Sequence, residues 1–394
     1  MIPSIRKRFN DHFTEEKYNQ YIQQFEATTN CESGFRIAET PIFIPKDFTQ
    51  KMLDTCEQII DFILDKEFAS VTNKSIPPQY RIPNDDQLAE MMVFDFGICT
   101  DDNGNIVPQL VEMQGFPSLF GFQHLNDLLT RKYAQIPENF DSYLNGYNSE
   151  SYHELLKDII IGKHHPENVI LLEIFPDRQK TLIDFKCTGA LLGIHNVCLT
   201  SLIVENDKLY YIKDNNKIHV KRIFNRIVFD DLAQYSLTNI IDLSKAYDVE
   251  WVPHPNWYYR ISKYTLPFLN HPYIPESYFL HELKEPVNLN KFVLKPLFSY
   301  AGMGVIIDVT QNDIDSITDP ENWILQRKVD YFPVIQTPNE PAKAEIRLFY
   351  FRKKEWNRPI AVHNLARLSK GEMIGTRYNQ DKTWVGGTIA YFEN

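Results

Sequence analysis

The stretch Lys291-Phe-Val-Leu-Lys-Pro-Leu-Phe-Ser-Tyr-Ala-Gly-Met-Gly-Val305 sets a lysine and a small-residue turn between two apolar runs. Lys295 closes the first run, and Val305-Ile306-Ile307 forms the second. The pattern predicts a strand, a loop made of Ser299, Tyr300, Ala301, Gly302, Met303 and Gly304, and a returning strand. Gly302 and Gly304 let backbone N–H groups come close to an anion, since no side chain intervenes. A lysine beside such a loop supplies the point charge a phosphate needs. A phosphate-covering hairpin is one reading, and an ordinary hairpin with a glycine-rich turn is the other. The Walker order, G-x-x-x-x-G-K-[ST], is absent.

Two further groups of residues could do chemistry with a phosphate. Asp95, in Val-Phe-Asp-Phe, and Glu112, in Leu-Val-Glu-Met-Gln114, lie on runs joined by the turn Asp101-Asp-Asn-Gly-Asn105. Period and turn predict a β-hairpin with Glu112 and Gln114 on one strand face. Carboxylates in apolar sequence need compensation, and hard oxygen ligands on one face suit Mg²⁺. A solvent-facing polar stripe would look the same. In Ala344-Glu-Ile-Arg-Leu-Phe-Tyr-Phe-Arg352, Glu345 and Arg347 share one face. They are either a surface ion pair, worth under about 1 kcal/mol, or a metal ligand beside a phosphate clamp. Asn364, Arg367, Arg377, Asn379 and Lys382 then form a cationic stretch that a solvated loop would also explain.

The elements that must carry these groups follow from periodicity. Residues 10–70 read as helical, with apolar residues at helical spacing over residues 47–66. Residues 123–160 read as helices around a polar loop. An α/β unit opens at Asn168 with a buried strand over residues 169–174 and a helix from about Gln179. A strand near Val197, a hairpin over residues 209–219 and a strand at Arg222 entering a helix come next. The final quarter is strand-rich.

Composition limits the function classes. A chain of 394 residues holds two or three domains. Its net charge of −11, with no basic block, argues against a nucleic-acid partner. The five cysteines, Cys31, Cys56, Cys99, Cys187 and Cys198, are scattered and read as free thiols of a reducing, cytoplasmic compartment. No apolar run approaches membrane-spanning length, so no membrane partner is expected. His164, His165, His254 and His363 lack the spacing of a zinc helix.

Together these pieces resemble the ATP-grasp superfamily. Phe292-Val-Leu-Lys-Pro and its turn resemble that family's lysine strand and phosphate loop. Trp323-Ile-Leu-Gln-Arg-Lys-Val329 resembles the strand and hinge that hold adenine. Glu345-x-Arg347 and Arg367 resemble the basic side of the triphosphate and acyl-phosphate site. The family's Asp strand, turn and Glu-x-Asn lie here near the front, as Asp95, Asn103-Gly104 and Glu112-Met-Gln114, with Gln in place of Asn. That order is circularly permuted, as in eukaryotic glutathione synthetase and glutathionylspermidine synthetase-like ligases.

The resemblance implies an α+β fold with a permuted ATP-grasp core and a preceding α/β substrate domain. The expected layout is an N-terminal helical segment (1–87), a permuted portion with metal ligands (88–160), a substrate domain (165–265) and a nucleotide-binding portion (266–394). It implies ATP held by Lys263, Lys295, the 299–304 loop, Gln326, Arg327, Lys328 and Val329. It implies Mg²⁺ on Asp95, Glu112, Gln114 and Glu345, and catalysis by Arg347 and Arg367. Arg226, Ser118, Arg377, Asn379 and Lys382 are expected to face substrate. The implied activity is ATP-dependent carboxylate–amine ligation through an acyl phosphate, with ADP and phosphate released. The 299–304 loop and residues 384–388 are expected to close over the site. The substrates would be a small carboxylate and an amine (amino acid, peptide or polyamine). A homodimer is compatible with this reading, though no apolar stripe specifies one. An ATP-dependent phosphotransferase and a catalytically decayed nucleotide-binding protein are the alternatives.

Overall fold

Alternation in the strands around Asp95 and Arg347 demands a sheet with two unlike faces, and the computed structural model has one. It describes residues 2–85, 88–228, 232, 235, 240–284, 287–299, 302–375 and 378–394. The central antiparallel sheet runs in the order Asp330–Tyr331, Met91–Thr100, Lys343–Phe351, Ile360–Ser369, Gly386–Thr388, with Ile106–Gln114 also paired to Met91–Thr100. On its back face Phe94, Phe96, Ile98, Ile346, Leu348 and Tyr350 pack on Met52, Cys56, Ile59, Ile60 and Ile63 of the helix Lys46–Leu64. Apolar burial of this kind, about 25 cal/mol per Å², anchors the sheet. The front face is left to carry polar groups.

Beside it lies a parallel sheet in the order Glu250–Val252, Arg222–Asn225, Val169–Glu173, His195–Cys198. Its strand Val169–Glu173 is wholly buried, as the apolar run over residues 169–172 requires. A three-stranded antiparallel sheet, Ser277–Phe279, Trp323–Arg327, Phe292–Pro296, carries Lys295 and Gln326. A meander spans residues 203–220.

Three local expectations are corrected. Residues 10–70 are not uniformly helical. After Pro3–His12 and Glu15–Thr29 the chain extends, and Ile42–Ile44 pairs in parallel with Ala390–Glu393 at the far end of the sequence. That partner is invisible to local periodicity, although Pro41 and Pro45 bracket the break. Residues 305–307 make only a single bridge, Leu294 to Ile306, and not a full returning strand. Residues 384–388 do not form a free loop, because Gly386–Thr388 is an edge strand paired with Ala366, Arg367 and Leu368. The helix expected after Arg222 falls mostly on residues outside those described.

One buried cluster gives a pH test of the fold. His124 packs among Tyr152, His153 and His363. Burial, reinforced by His363 and His153 and only partly opposed by Asp127, lowers the imidazole to about 4. The unfolded chain therefore binds a proton the native state refuses, so stability is full above pH 6.5 and is lost as pH falls towards 4. Between pH 7 and 4.5 this residue alone is expected to remove about 2.5 kcal/mol. Urea unfolding of wild type and His124→Gln at both pH values measures it, and an equal loss in the two proteins would refute it.

Candidate active site

The front face of the central sheet assembles its polar groups by register. Asp95 stands opposite Glu112 on one neighbour and Arg347 on the other. Two residues along, Gly97 stands opposite Glu345, whose further neighbour is Arg367. A register shift after Asp95 lets Glu112 and Gln114 share the Asp95 face while Leu110 turns to the core.

Asp95 is 1% exposed and doubly engaged. Arg347 donates to it through Nε (2.6 Å) and Nη2 (2.7 Å), and Arg367 Nη2 donates at 2.8 Å. The same Arg367 nitrogen donates to Glu345 Oε2 at 2.7 Å, and the Tyr331 hydroxyl donates to Glu345 Oε1. Burial alone would raise the Asp95 carboxyl, but the two guanidiniums outweigh it and hold it below the usual carboxylate range. Arg367 makes these contacts through Nη2 alone, and its side chain is 34% exposed.

Two lysines converge on the adjoining edge. Lys263 donates to the Ser299 carbonyl at 2.7 Å and lies 3.3 Å from Glu112 Oε1. Lys295 Nζ donates to Gln326 Oε1. Gln326 is 2% exposed, yet its Nε2 has no partner, leaving a buried donor for a ligand acceptor. Gly302 and Gly304 both adopt positive φ (70° and 71°), and a Cβ on Gly304 would sit 2.6 Å from Pro296 Cγ. Only glycine fits that turn.

Arg226 follows the strand Arg222–Asn225 at the carboxyl end of the parallel sheet, where ligands of such sheets bind. Its Nη1 donates to the Pro117 carbonyl at 2.6 Å, beside Ser118, and its guanidinium lies 4.8 Å from the Phe116 ring. Its buried Nε has no partner. Burial lowers its pKa against the pull of Glu173 and Asp184, and Arg347 adds to the lowering.

Other expected site residues stand elsewhere or serve other ends. Asn379 organises its own loop, its Oδ1 accepting from Lys370 N and Gly371 N and its Nδ2 donating to Ser369 and to the carbonyls of Met373 and Gly375. Lys382 pairs with Glu340 at 3.2 Å. Arg327 pairs with Asp102 at 3.6 Å and Lys328 with Asp308 at 3.1 Å. Val329 follows the strand Trp323–Arg327, and Met303 is 39% exposed at the loop surface. Tyr300, Ala301 and Arg377 lie outside the described residues. Sequence reasoning missed Tyr331 and Gly97. A glycine two residues from Asp95 on the same strand face was the available signal, because such glycines mark a close approach.

As a four-ligand cage the acids do not fit a divalent cation. All four oxygens of Asp95 and Glu345 have N–H or O–H donors. Among the described residues, no group of three or more His, Cys, Asp or Glu is placed to hold a metal. Glu112 and Gln114 remain, one carboxylate and one amide, too few to hold Mg²⁺ unless phosphate and water complete its shell.

No protein-family model matches the chain, and no curated protein matches it. Among solved structures, a glutathione synthetase-like effector from Globodera pallida, in its apo form, aligns with a TM-score of 0.56 at 10% identity. The alignment covers 95% of this chain and 96% of that one. The fold is thus mixed α+β and glutathione synthetase-like. Among the described residues, no helix is long and apolar enough to cross a membrane.

Proposed function

We propose that this chain is an ATP-dependent carboxylate–amine ligase built on a circularly permuted ATP-grasp core. The observation that carries the reading is the placing of Lys263 on the Ser299 carbonyl, where the glycine loop begins, and of Lys295 on Gln326, whose buried Nε2 has no partner. A triphosphate supplies the acceptors these donors lack, and Mg²⁺ would arrive on the nucleotide as part of the substrate. The likeness to a glutathione synthetase-like fold supports the same class.

In this reading Arg226 holds the carboxylate-bearing substrate, with Ser118 lining its site. One carboxylate oxygen attacks the γ-phosphorus, the bond to the β-bridging oxygen breaks, and ADP leaves. The amine nitrogen then attacks the acyl carbon, phosphate departs and the amine loses a proton. Lys295, Arg347 and Arg367 stabilise the transferring phosphoryl group by fixed charge, and the 299–304 loop keeps water from the acyl phosphate. Gly386–Thr388, held in the sheet, is not part of a lid.

A substrate carboxylate labelled with oxygen-18 tests the route, since one labelled oxygen must pass to inorganic phosphate. A phosphotransferase would release no phosphate, and unlabelled phosphate would mean simple ATP hydrolysis. One observation favours a second reading, a nucleotide-binding protein without turnover. It is that Asp95 and Glu345 are already satisfied by basic and phenolic partners.

A further inference from the structure

The front-face carboxylates do a different task from the one their sequence pattern suggests. A cation seated on Asp95, a residue only 1% exposed, would have to displace the two-pronged Arg347 contact and the Arg367 contact. Charge-assisted, paired hydrogen bonds of this kind are among the strongest in proteins and strongly fix geometry. Glu345 is held from both ends, by Arg367 on one oxygen and Tyr331 on the other. The seat for Tyr331 is built: a Cβ at Gly97 would fall 2.7 Å from its ring, so only glycine there admits it. Tyr331 also pairs its backbone with Cys99 on the Asp95 strand, which fixes the ring's approach.

We propose that Tyr331 is a positioning residue, which through Glu345 fixes Arg367, and that Asp95 and Glu345 orient the two arginines and bind no metal. The chain Tyr331–Glu345–Arg367–Asp95–Arg347 is then a frame set before any ligand arrives. It leaves Arg367 Nε and Nη1 out of the frame's own hydrogen bonds, as a ready anion-binding edge. In the ligase reading, on which the choice of ligand rests, that anion is the transferring phosphoryl group or the acyl phosphate. The frame itself does not depend on that reading.

The test is arginine-edited NMR on the full chain, with the Arg367 guanidinium signals assigned by their loss in Arg367→Lys. In wild type the Arg367 Nη2 protons, held by Asp95 and Glu345, should exchange slowly with water. In Tyr331→Phe, which removes one hydroxyl, their exchange should quicken at least about tenfold, the loss expected when a charged hydrogen-bond chain is cut. The signals of Arg222, bound to the Ile159 and Ile160 carbonyls outside the frame, should not move. Unchanged Arg367 exchange in Tyr331→Phe would overturn the positioning role.

A second arm needs no variant to fold. Mg²⁺ alone, titrated to about 1 mM, should leave the slow exchange of the wild-type Arg367 Nη2 protons unchanged, because two saturated carboxylates offer it no seat. Micromolar Mg²⁺ binding that quickens that exchange, by drawing Asp95 or Glu345 off Arg367, would overturn the non-metal role. Titrating ATP into the same sample separates the two ideas. Failure to bind ATP removes the nucleotide reading and leaves the arginine result standing.

Discussion

Lys295→Ala is expected to lower ATP-dependent turnover at least about 100-fold, the scale of losing one strong electrostatic contact to a developing phosphoryl charge. Lys295 ends its strand pointing at Gln326 and lies within electrostatic reach of Lys263, Glu112 and Glu345. Burial, opposed by Glu112 and Glu345 but reinforced by Lys263, brings its ammonium down to about 8. A bound phosphate would favour the charged form and raise that value. Affinity for ATP should therefore be full well below pH 8 and fall as pH rises through 8, by at most tenfold per unit. The Ala variant should lack this dependence. The sign for stability is opposite. The native state binds fewer protons than the unfolded chain between about 8 and 10.4, so unliganded stability rises with pH across that window. Lys295→Met is accordingly expected to stabilise the unliganded protein at pH 7 by about 1–3 kcal/mol, after the lost Gln326 contact is discounted. Chemical unfolding at pH 7 and 9 checks this. A destabilised Met variant would mean that the lysine serves the fold.

Asp95→Ala should cost about 3–5 kcal/mol of stability, because removing one member of a buried ion cluster strands the others. Here two guanidiniums would be left, and Arg347 is itself buried. Because both arginines hold the Asp95 carboxyl low, the cost should persist across neutral pH and shrink only in strong acid. Asp95→Asn keeps the shape and an acceptor oxygen, and should lose less. Urea unfolding of the three proteins at pH 7 measures the difference. A loss below about 1 kcal/mol in the Ala variant would show a solvent-screened pair.

The chemistry of the site was more legible in the sequence than its wiring. The hairpin around Asp95 and Glu112 follows from alternation and an Asn-Gly turn, and the strand with Glu345 and Arg347 follows from period-two patterning. These are local signals, and the expected faces match the observed ones. The pairing of Asp95 with Arg347 joins residues far apart in the chain, so no local pattern could choose between an ion pair and a metal ligand. The parallel pairing of Ile42–Ile44 with the C-terminal strand was hidden for the same reason. Asn379 shows a further limit. A polar residue in a cationic loop reads as ligand-facing, but its amide satisfies the backbone of its own turn. Tyr331 gave no signal of its own, since its strand has two residues and its role appears only against Gly97.

The central claim is that Lys295 and its loop form a nucleotide site, and calorimetric titration of ATP tests it most directly. It should be run with and without Mg²⁺, on wild type and Lys295→Ala. Binding to wild type that is lost in the variant is the expected result. Absence of binding in every condition, or equal binding by both proteins, would contradict it.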